Sequence, residues 1–272
     1  MKFSYTVATP ETKSPEVLAF RGDFRESLAA LKELGYDGVE LMVRSPRELN
    51  QEAIKEALEE FALEVADVCT GEVFGVDGLS FMDPNPTVRR EAIQRTKEVI
   101  DFAALLGSQI NVGRLRGSFR PGIDQADSLK WAKDGFNQVL EYAAAKKVRV
   151  LLEPVNRYEL NFLCTTQEAL EFIAAFDNPY LGLMLDIYHM NIEDKSIVAS
   201  FIEAIDYCFH IHFADATRRY PGTGQIDFLN IMRALKALKY DRFISLEIMQ
   251  KPDQYTAASR SIEYLRLLDE LS

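Results

Sequence analysis

Short apolar runs alternate with amphipathic stretches along the whole of this 272-residue chain. This alternation predicts parallel strands that are joined by crossover helices. The eight predicted strands are Lys2–Val7, Gly38–Val43, Glu64–Thr70, Gln109–Gly113, Arg149–Val155, Leu181–Ile187, Phe209–Asp215 and Phe243–Met249. The predicted helices that follow them are Phe24–Leu34, Gln51–Ala62, Pro86–Leu106, Ser128–Lys146, Thr166–Phe176, Ile197–Ala204, Phe228–Leu238 and Ala257–Leu271.

Eight strand and helix pairs in a chain of this length are typical of the (β/α)8 barrel, the TIM barrel of the α/β class. A doubly wound open sheet is the alternative. Its glycine-rich phosphate turn is missing after the first strand, where the sequence reads Ala8-Thr9-Pro10-Glu11-Thr12. No stretch is rich enough in proline, glycine and serine to be an interdomain linker. We therefore predict one barrel domain over residues 1–272.

The charge of the chain narrows the choice of partners. A net charge of -11 disfavours nucleic acid and anionic membrane, because both would repel this surface at long range. No apolar segment approaches the roughly 20 residues of a membrane helix, and the start lacks the pattern of a signal peptide. The three cysteines have no paired spacing, which argues against a disulfide framework. We therefore expect a cytoplasmic protein that acts on a small molecule.

Four residues that can bind a metal lie near the downstream ends of the last four predicted strands: Glu153, Asp186, His212 and Glu247. A carboxylate at the end of a buried strand is costly unless a positive group meets it. Side chains of the same phase and height converge in a closed barrel, so this set predicts a site for a divalent cation. We favour Mn²⁺, with Mg²⁺ or Co²⁺ as alternatives, because the set has oxygen donors and no thiolate. We interpret His210, in the same strand as His212, as an interior residue.

Two members of this set are glutamates that could flank one bound carbon atom. Glu153 and Glu247 would exchange a proton with that carbon from opposite faces, while the cation holds the neighbouring oxygens of a cis-enediolate. This pairing predicts isomerase or epimerase chemistry. Hydrolysis by a metal-bound water is also compatible with the donor set, but it would need further metals, and the three histidines of the chain are few for that.

Three segments carry the most specific motifs of the chain. They are Glu153-Pro154-Val155-Asn156-Arg157-Tyr158-Glu159, Leu185-Asp186-Ile187-Tyr188-His189-Met190-Asn191-Ile192-Glu193 and His212-Phe213-Ala214-Asp215-Ala216-Thr217-Arg218-Arg219-Tyr220-Pro221-Gly222-Thr223-Gly224. With these motifs the chain resembles, over essentially its whole length, the D-tagatose 3-epimerase group of the xylose-isomerase-like barrel superfamily.

The resemblance implies roles for particular residues. It implies that the four residues above bind one divalent metal and that the two glutamates also form the acid and base pair. The residues that it implies to contact the substrate oxygens around C1 to C3 are Glu159, His189 and Arg218. It further implies a homo-oligomer, either a dimer or a tetramer.

The chemistry of these three residues agrees with the implied contacts. His189 lies in the predicted loop after the sixth strand, where it could polarise a ketone oxygen. Arg218 cannot lose its proton, so it could stabilise an oxygen that gains charge. The alternatives are a solvent-exposed loop histidine, a surface arginine and, for Glu159, an ion pair with Arg157.

Further arginines bear on the choice of substrate. Arg114 and Arg116 follow the fourth predicted strand, and Arg219 adjoins Arg218. Guanidinium groups at the pocket mouth would bind a substrate carboxylate or phosphate in a bidentate manner. This favours a keto-sugar acid such as 5-ketogluconate beside free ketoses such as tagatose, psicose or ribulose. The alternative is that these arginines pair with the abundant acidic residues.

These observations predict a metal-dependent 3-epimerase that acts on a ketose or a keto-sugar acid. An aldose–ketose isomerase, such as a hydroxypyruvate isomerase, would use the same enediolate and stays open. A sugar-binding barrel without turnover also stays open. Glu40 and Glu72, at the ends of the second and third predicted strands, are expected at the same face, where they either line the pocket or pair with a nearby arginine.

Overall fold

Parallel strands form the wall of a closed barrel in this computed structural model, which describes residues 1–272. In chain order the strands are β1 (Lys2–Ala8), β2 (Gly38–Met42), β3 (Glu64–Cys69), β4 (Ile110–Val112), β5 (Val150–Leu152), β6 (Leu181–Asp186), β7 (Cys208–Phe213) and β8 (Phe243–Leu246). Each strand pairs in parallel with the next, and β8 pairs with β1. The prediction of a (β/α)8 barrel is confirmed.

The helices follow the strands around the barrel. They are α1 (Phe24–Glu33), α2 (Gln51–Glu60), α3 (Gly71–Gly75), α4 (Pro86–Leu105), α5 (Gln125–Lys146), α6 (Thr166–Ala174), α7 (Ile187–Glu193), α8 (Ile197–Ala204), α9 (Phe228–Ala237) and α10 (Gln254–Leu271). Single 3-10 turns cover Pro46–Glu48 and Arg114–Arg116. None of the helices combines the length and the apolar character that a bilayer crossing requires.

The short helices α3 and α7 are absent from the prediction. Each is too short to show the 3.6-residue periodicity on which a helix is recognised. The start of α7 follows directly from the end of β6, because the Asp186 side chain accepts a hydrogen bond from the Tyr188 amide and caps the helix. The sequence predicts His189 in a loop; the structure corrects this, since His189 lies in α7.

The apolar core includes one cluster of 66 buried residues, which the strands and the surrounding helices share. The interior of the barrel is different. Barrel interiors are usually filled by branched apolar side chains, whereas here the fully buried interior set is largely polar. It includes Ser4, Glu40, Asp67, Asn111, Met184, His210, His212 and Ser245, each at most 1% exposed.

Hydrogen bonds cross this polar interior. Oε2 of Glu40 on β2 lies 2.8 Å from Nε2 of both His210 and His212 on β7, and the Asn111 amide contacts the Met184 sulfur. The interpretation of His210 as an interior residue is therefore confirmed. Both expectations for Glu40 are wrong, because its buried side chain does not line the pocket and pairs with two histidines in place of an arginine.

Candidate metal and substrate site

Four predicted ligands meet at the carboxyl ends of β5 to β8. Glu153 follows β5, Asp186 ends β6, His212 lies in β7 and Glu247 follows β8. The parallel register pairs Asp186 with His212 on neighbouring strands and so places both at the same height. All four side chains are largely buried, so their charges meet in a region of low dielectric constant.

The atoms of this cluster suit a cation. Glu153, Asp186 and His212 each offer a ligand atom within 4.8 Å of the others. Nδ1 of His212 has no hydrogen-bond partner, and it faces Oδ2 of Asp186 at 3.7 Å and Oε2 of Glu247 at 3.6 Å. A buried imidazole nitrogen that faces carboxylates in this way fits a divalent metal with mixed oxygen and nitrogen ligands.

The charges of the cluster also favour a bound cation. Burial and the neighbouring charge of Glu247 raise the pKa of Glu153 to about 8. Burial would also raise the pKa of Asp186, but the positive charge of Arg218 lowers it below its ordinary value. The raised pKa of Glu153 indicates that a further negative charge is unfavourable in this cluster, and a divalent cation would compensate that charge.

Close packing around Glu153 depends on a glycine. A β-carbon at Gly113, which follows β4, would overlap Oε2 of Glu153. The main-chain carbonyl of Glu153 accepts a hydrogen bond from Arg116 at 2.8 Å. The position of this carboxylate is therefore fixed from the neighbouring strand.

Arg218 lies in the loop between β7 and α9, and its guanidinium joins two of the carboxylates. It donates to Oδ2 of Asp186 at 2.5 Å and to Oε2 of Glu247. Its guanidinium carbon lies 4.7 Å from the centre of the Tyr188 ring. Burial would lower the pKa of Arg218, but the charges of Asp186 and Glu247 raise it above its usual value, so it stays cationic.

The carboxylate of Asp215 organises this loop. It accepts hydrogen bonds from the backbone amides of Ala216, Gly222 and Gly224 at 2.8 to 2.9 Å, and a β-carbon at Gly224 would overlap it. The Asp215 carbonyl also accepts from the Arg218 amide at 2.7 Å. Neither Asp215 nor Gly224 has a role predicted from the sequence, although both lie in the third motif, where an aspartate before a glycine-rich stretch is a signal for such a loop.

The orientation of His189 follows from Asn156. Oδ1 of Asn156 accepts from the Tyr158 amide at 3.0 Å, so its Nδ2 donates to Nδ1 of His189 at 2.7 Å. The hydrogen of the neutral imidazole then lies on Nε2, which faces Glu153 and Asp186 at 3.7 and 3.8 Å. Burial lowers the pKa of His189 to about 4, so this ring is a neutral donor near pH 7.

Glu159 lines the same pocket, with 39% of its side chain exposed. It lies 3.9 Å from Nε of Arg114. The alternative of an ion pair between Glu159 and Arg157 is wrong, because Arg157 pairs with Glu193 at 2.8 Å. The Glu159 oxygens are therefore not paired with Arg157 and can accept a hydrogen bond from a bound hydroxyl group.

The sequence predicts Arg116 at the pocket mouth, and this placement is wrong. The side chain is fully buried and donates to four backbone carbonyls, those of Gly113, Glu153, Phe162 and Leu163, at 2.7 to 3.1 Å. A fixed fork of donors suits a cluster of carbonyls as well as it suits a substrate anion. Of the other arginines, Arg114 lines the pocket, whereas Arg219 is exposed and does not.

The pocket above the cluster has a volume of about 280 Å³. Its lining includes Glu153, Glu247, His189 and Arg218 at the base. Further out it includes Ser14, Glu16, Glu72, Arg114 and Glu159. A volume just below the usual range for ligand pockets, roughly 300–1,000 Å³, suits a small polar molecule.

A comparison with protein families assigns the chain to a family. Residues 28–268 match the family described as xylose isomerase-like TIM barrel. This chain belongs to that family.

Individual relatives are more distant in sequence. The chain is 28% identical over 219 residues to a ketose 3-epimerase of Arthrobacter globiformis, which covers 80% of this chain and 74% of that protein. It is 29% identical to a 3-dehydro-D-guloside 4-epimerase of Escherichia coli strain K12, with 91% and 95% covered. The crystal structure of a 3-keto-D-glucoside 4-epimerase from E. coli superimposes with a TM-score of 0.83 at 25% identity and covers 98% of this chain and 99% of that one.

Proposed function

We propose that the protein is a metal-dependent epimerase that exchanges the proton on C3 of a ketose. The observation that carries this proposal is one pocket that contains two glutamates, Glu153 and Glu247, together with the donors His189 and Arg218. An epimerase needs two groups that remove and return a proton on opposite faces of one carbon. It also needs donors for the oxygen that gains charge in between.

The class of reaction is that of the relatives. The protein is an isomerase of the carbohydrate-epimerase type, as are the proteins compared above. C3 of a ketose and C4 of a 3-dehydro sugar are both carbons next to a ketone, so the same acid and base pair serves either. We place the reaction at C3 because the three motifs of the chain resemble those of the D-tagatose 3-epimerase group.

The two glutamates have different affinities for a proton. The pKa of Glu153 is raised to about 8. Burial would also raise the pKa of Glu247, but the charge of Arg218 lowers it below the ordinary value. A bound cation would lower both pKa values, because it favours the deprotonated ligands. We propose that one glutamate removes the proton from C3 while the other returns a proton to the opposite face; the reverse reaction exchanges their roles.

The ketone oxygen at C2 gains negative charge when the neighbouring proton leaves. We propose that Nε2–H of neutral His189 and the guanidinium of Arg218 donate to that oxygen. Glu159 accepts a hydrogen bond from a hydroxyl group near C1. These contacts hold the substrate with C3 between the two glutamates.

Glu153, Asp186, His212 and Glu247 would hold a divalent cation, for which Mn²⁺ is our first choice. When bound, such a cation polarises the ketone and lowers the cost of removing the adjacent proton.

The outer pocket favours a neutral substrate. Glu16, Glu72 and Glu159 line it beside a single arginine, Arg114, which lies 3.9 Å from Glu159. A substrate carboxylate would therefore meet a net negative potential there. Since Arg116 does not reach the pocket, we propose a free ketose as the substrate rather than a keto-sugar acid.

A deuterium experiment tests this function. The protein with Mn²⁺ is incubated in deuterated water with D-tagatose, D-psicose, L-ribulose and 5-ketogluconate. We expect a 3-epimer labelled at C3 from at least one neutral ketose and slower turnover of the acid. Label at C2 of an aldose would instead identify an aldose–ketose isomerase, and no turnover of any compound would identify a sugar-binding barrel.

The glutamate pair is tested with amide variants. We expect Glu247→Gln to lower kcat by roughly 10²–10⁴-fold, the contribution typical of a positioned acid or base. Glu263→Gln, an exposed glutamate on α10, is the control and should retain the parental rate. A Glu247→Gln variant that is as active as the parent would rule out the proton-exchange pair.

A further inference from the structure

Glu40 links the polar interior of the barrel to the candidate metal site. It lies on β2, is fully buried, and its Oε2 is 2.8 Å from Nε2 of His210 and 2.8 Å from Nε2 of His212. Glu40 and His212 are 172 residues apart in the sequence, and the contact between them crosses the inside of the barrel. Glu40 is not a member of the predicted ligand set, and it does not line the pocket.

The bond to Glu40 determines which nitrogen of His212 carries hydrogen. An ionised carboxylate can only accept, so Nε2 of His212 must donate. A neutral His212 then has its lone pair on Nδ1, the atom that faces Asp186 and Glu247. An imidazole binds a metal through a lone pair, so this orientation is the one that a cation at the site requires.

We propose that Glu40 is a positioning residue that holds His212 in the Nε2–H tautomer and directs its Nδ1 at the cation site. This inference rests on the proposed metal site and adds a residue that acts through one of its ligands. Metal-binding histidines commonly donate their second nitrogen to a carboxylate, and loss of that partner typically lowers metal affinity roughly 10–100-fold.

His210 strengthens the arrangement. Its ring lies edge-on to that of His212, with centroids 5.3 Å apart at 81°, and it donates to the same oxygen of Glu40. Two donors on one oxygen leave the Glu40 side chain little freedom to rotate. Because both rings are fully buried, neither N–H group has water as a substitute partner, and an unpaired buried donor is costly.

The amide variant Glu40→Gln separates this role from simple packing. A glutamine has nearly the same shape, but it offers one acceptor oxygen and one NH₂ donor in place of two acceptors. A glutamine can place its carbonyl oxygen at the position of Oε2 and its NH₂ group at that of Oε1, which has no partner, so both histidines keep an acceptor. The variant therefore removes the negative charge of that acceptor, and a neutral amide oxygen favours the Nε2–H form of His212 less strongly than a carboxylate does.

Asp67 provides a matched control. It is a fully buried carboxyl group on the adjacent strand β3, and neither of its oxygens has a hydrogen-bond partner. Asp67→Asn therefore replaces a carboxyl group by an amide in the same polar interior without a hydrogen bond to either histidine, and so measures the effect of a change in interior packing.

The first measurement is the Kd for Mn²⁺, determined by titration of the full-length, chelator-treated protein. We expect Glu40→Gln to bind Mn²⁺ roughly 10–100-fold more weakly than the parent, and Asp67→Asn to bind within a factor of about three of it. A folded Glu40→Gln variant with the parental Kd would overturn the proposal. A comparable loss of affinity in Asp67→Asn would also overturn it, since the effect would then belong to interior packing in general.

The second measurement needs no variant. In the ¹⁵N-histidine-labelled parent loaded with one equivalent of Zn²⁺, which is diamagnetic and accepts imidazole ligands, we expect His212 to show hydrogen on Nε2 and metal on Nδ1. Hydrogen on Nδ1 would overturn the proposal even if Glu40→Gln fails to fold. A parent that binds no Mn²⁺ would remove the metal site as well, whereas a parent that binds metal in this way but converts no ketose would contradict only the proposed function.

Discussion

Two buried arginines show how the partners of a residue decide its role. Arg116 donates only to backbone carbonyls, and Arg218 donates to the carboxylates of Asp186 and Glu247. Both were candidate substrate contacts by sequence, Arg116 because it follows the fourth predicted strand and Arg218 because the family resemblance implies that contact. Only Arg218 reaches the pocket, so we assign Arg116 a structural contribution.

Replacement of Arg116 should therefore affect stability first. Arg116→Met leaves buried carbonyls without donors at about 1–3 kcal/mol each. With roughly 2–4 °C per kcal/mol for a chain of this size, we expect Tm to fall by about 6 °C or more in a thermal scan. Arg114→Met, at a pocket-lining arginine with 37% of its side chain exposed, should leave Tm nearly unchanged. Equal Tm values for parent and Arg116→Met would contradict this assignment.

The pairing of Asn156 with His189 yields a prediction about pH. Since burial lowers the pKa of His189 to about 4, the ring stays neutral above pH 5, and kcat of the parent should show no His189 ionisation between pH 5 and 9. Asn156→Asp places a carboxylate next to Nδ1 of His189. This negative charge raises the pKa of the ring, and because a carboxylate can only accept, the neutral ring then carries its hydrogen on Nδ1.

We expect kcat of Asn156→Asp to fall as the pH rises above that new pKa, because Nε2 then no longer donates. A pH–rate profile measures this. Asn161→Asp, an exposed position that bonds to the Phe119 backbone, is the control. A flat profile for Asn156→Asp would show that the Nε2 hydrogen of His189 is not needed.

At the scale of elements, the strand ends and the loops after them contribute differently to the site. The strands place Glu153, Asp186, His212 and Glu247 through their register. The loop between β7 and α9 has no such register, and its shape depends on the hydrogen bonds that Asp215 accepts. The predicted strands and long helices agree with the structure within a few residues, because both rest on local periodicity.

A substitution at Gly224 tests this loop. Gly224→Ala brings a β-carbon against the Asp215 carboxylate and should displace the segment that carries Arg218. We expect kcat/KM to fall by roughly tenfold or more, since small displacements of positioning groups are costly to rate, and Tm should fall as well because the Asp215 carboxylate is fully buried. Gln225→Ala, at the adjacent exposed residue, should match the parent in steady-state kinetics, and a Gly224→Ala variant that also did so would contradict the role of Asp215.

At the scale of the whole molecule, the buried charges link stability to pH and metal. Burial raises the pKa of Glu153 to about 8. Burial would lower the pKa of His212, but the charge of Glu40 raises it well above its ordinary value. In both cases the folded protein keeps a proton that the unfolded chain has lost, so the free energy of unfolding falls as the pH rises.

We therefore expect Tm of the chelator-treated protein to decrease between pH 7 and 8.5, above the range in which the lowered pKa of His189 acts in the opposite direction. Saturating Mn²⁺ should raise Tm, and raise it more at pH 8.5 than at pH 7, because metal binds the deprotonated ligands. Thermal scans at both pH values, with and without metal, measure this. A Glu153→Gln variant should show a weaker pH dependence, and a Tm that rises with pH in the metal-free parent would refute the assignment.

The sequence by itself determined the barrel and the identity of the residues that gather at its end. Hydrophobic periodicity and strand phase are local properties, so they predict both the elements and the convergence of Glu153, Asp186, His212 and Glu247. Only the tertiary structure decided which partners each polar group has. Asn156 meets His189 across 33 residues and Glu40 meets His212 across 172, and no local pattern encodes a hydrogen bond between groups so far apart in the chain. For the same reason the buried position of Arg116 became evident only once the strands had closed around it.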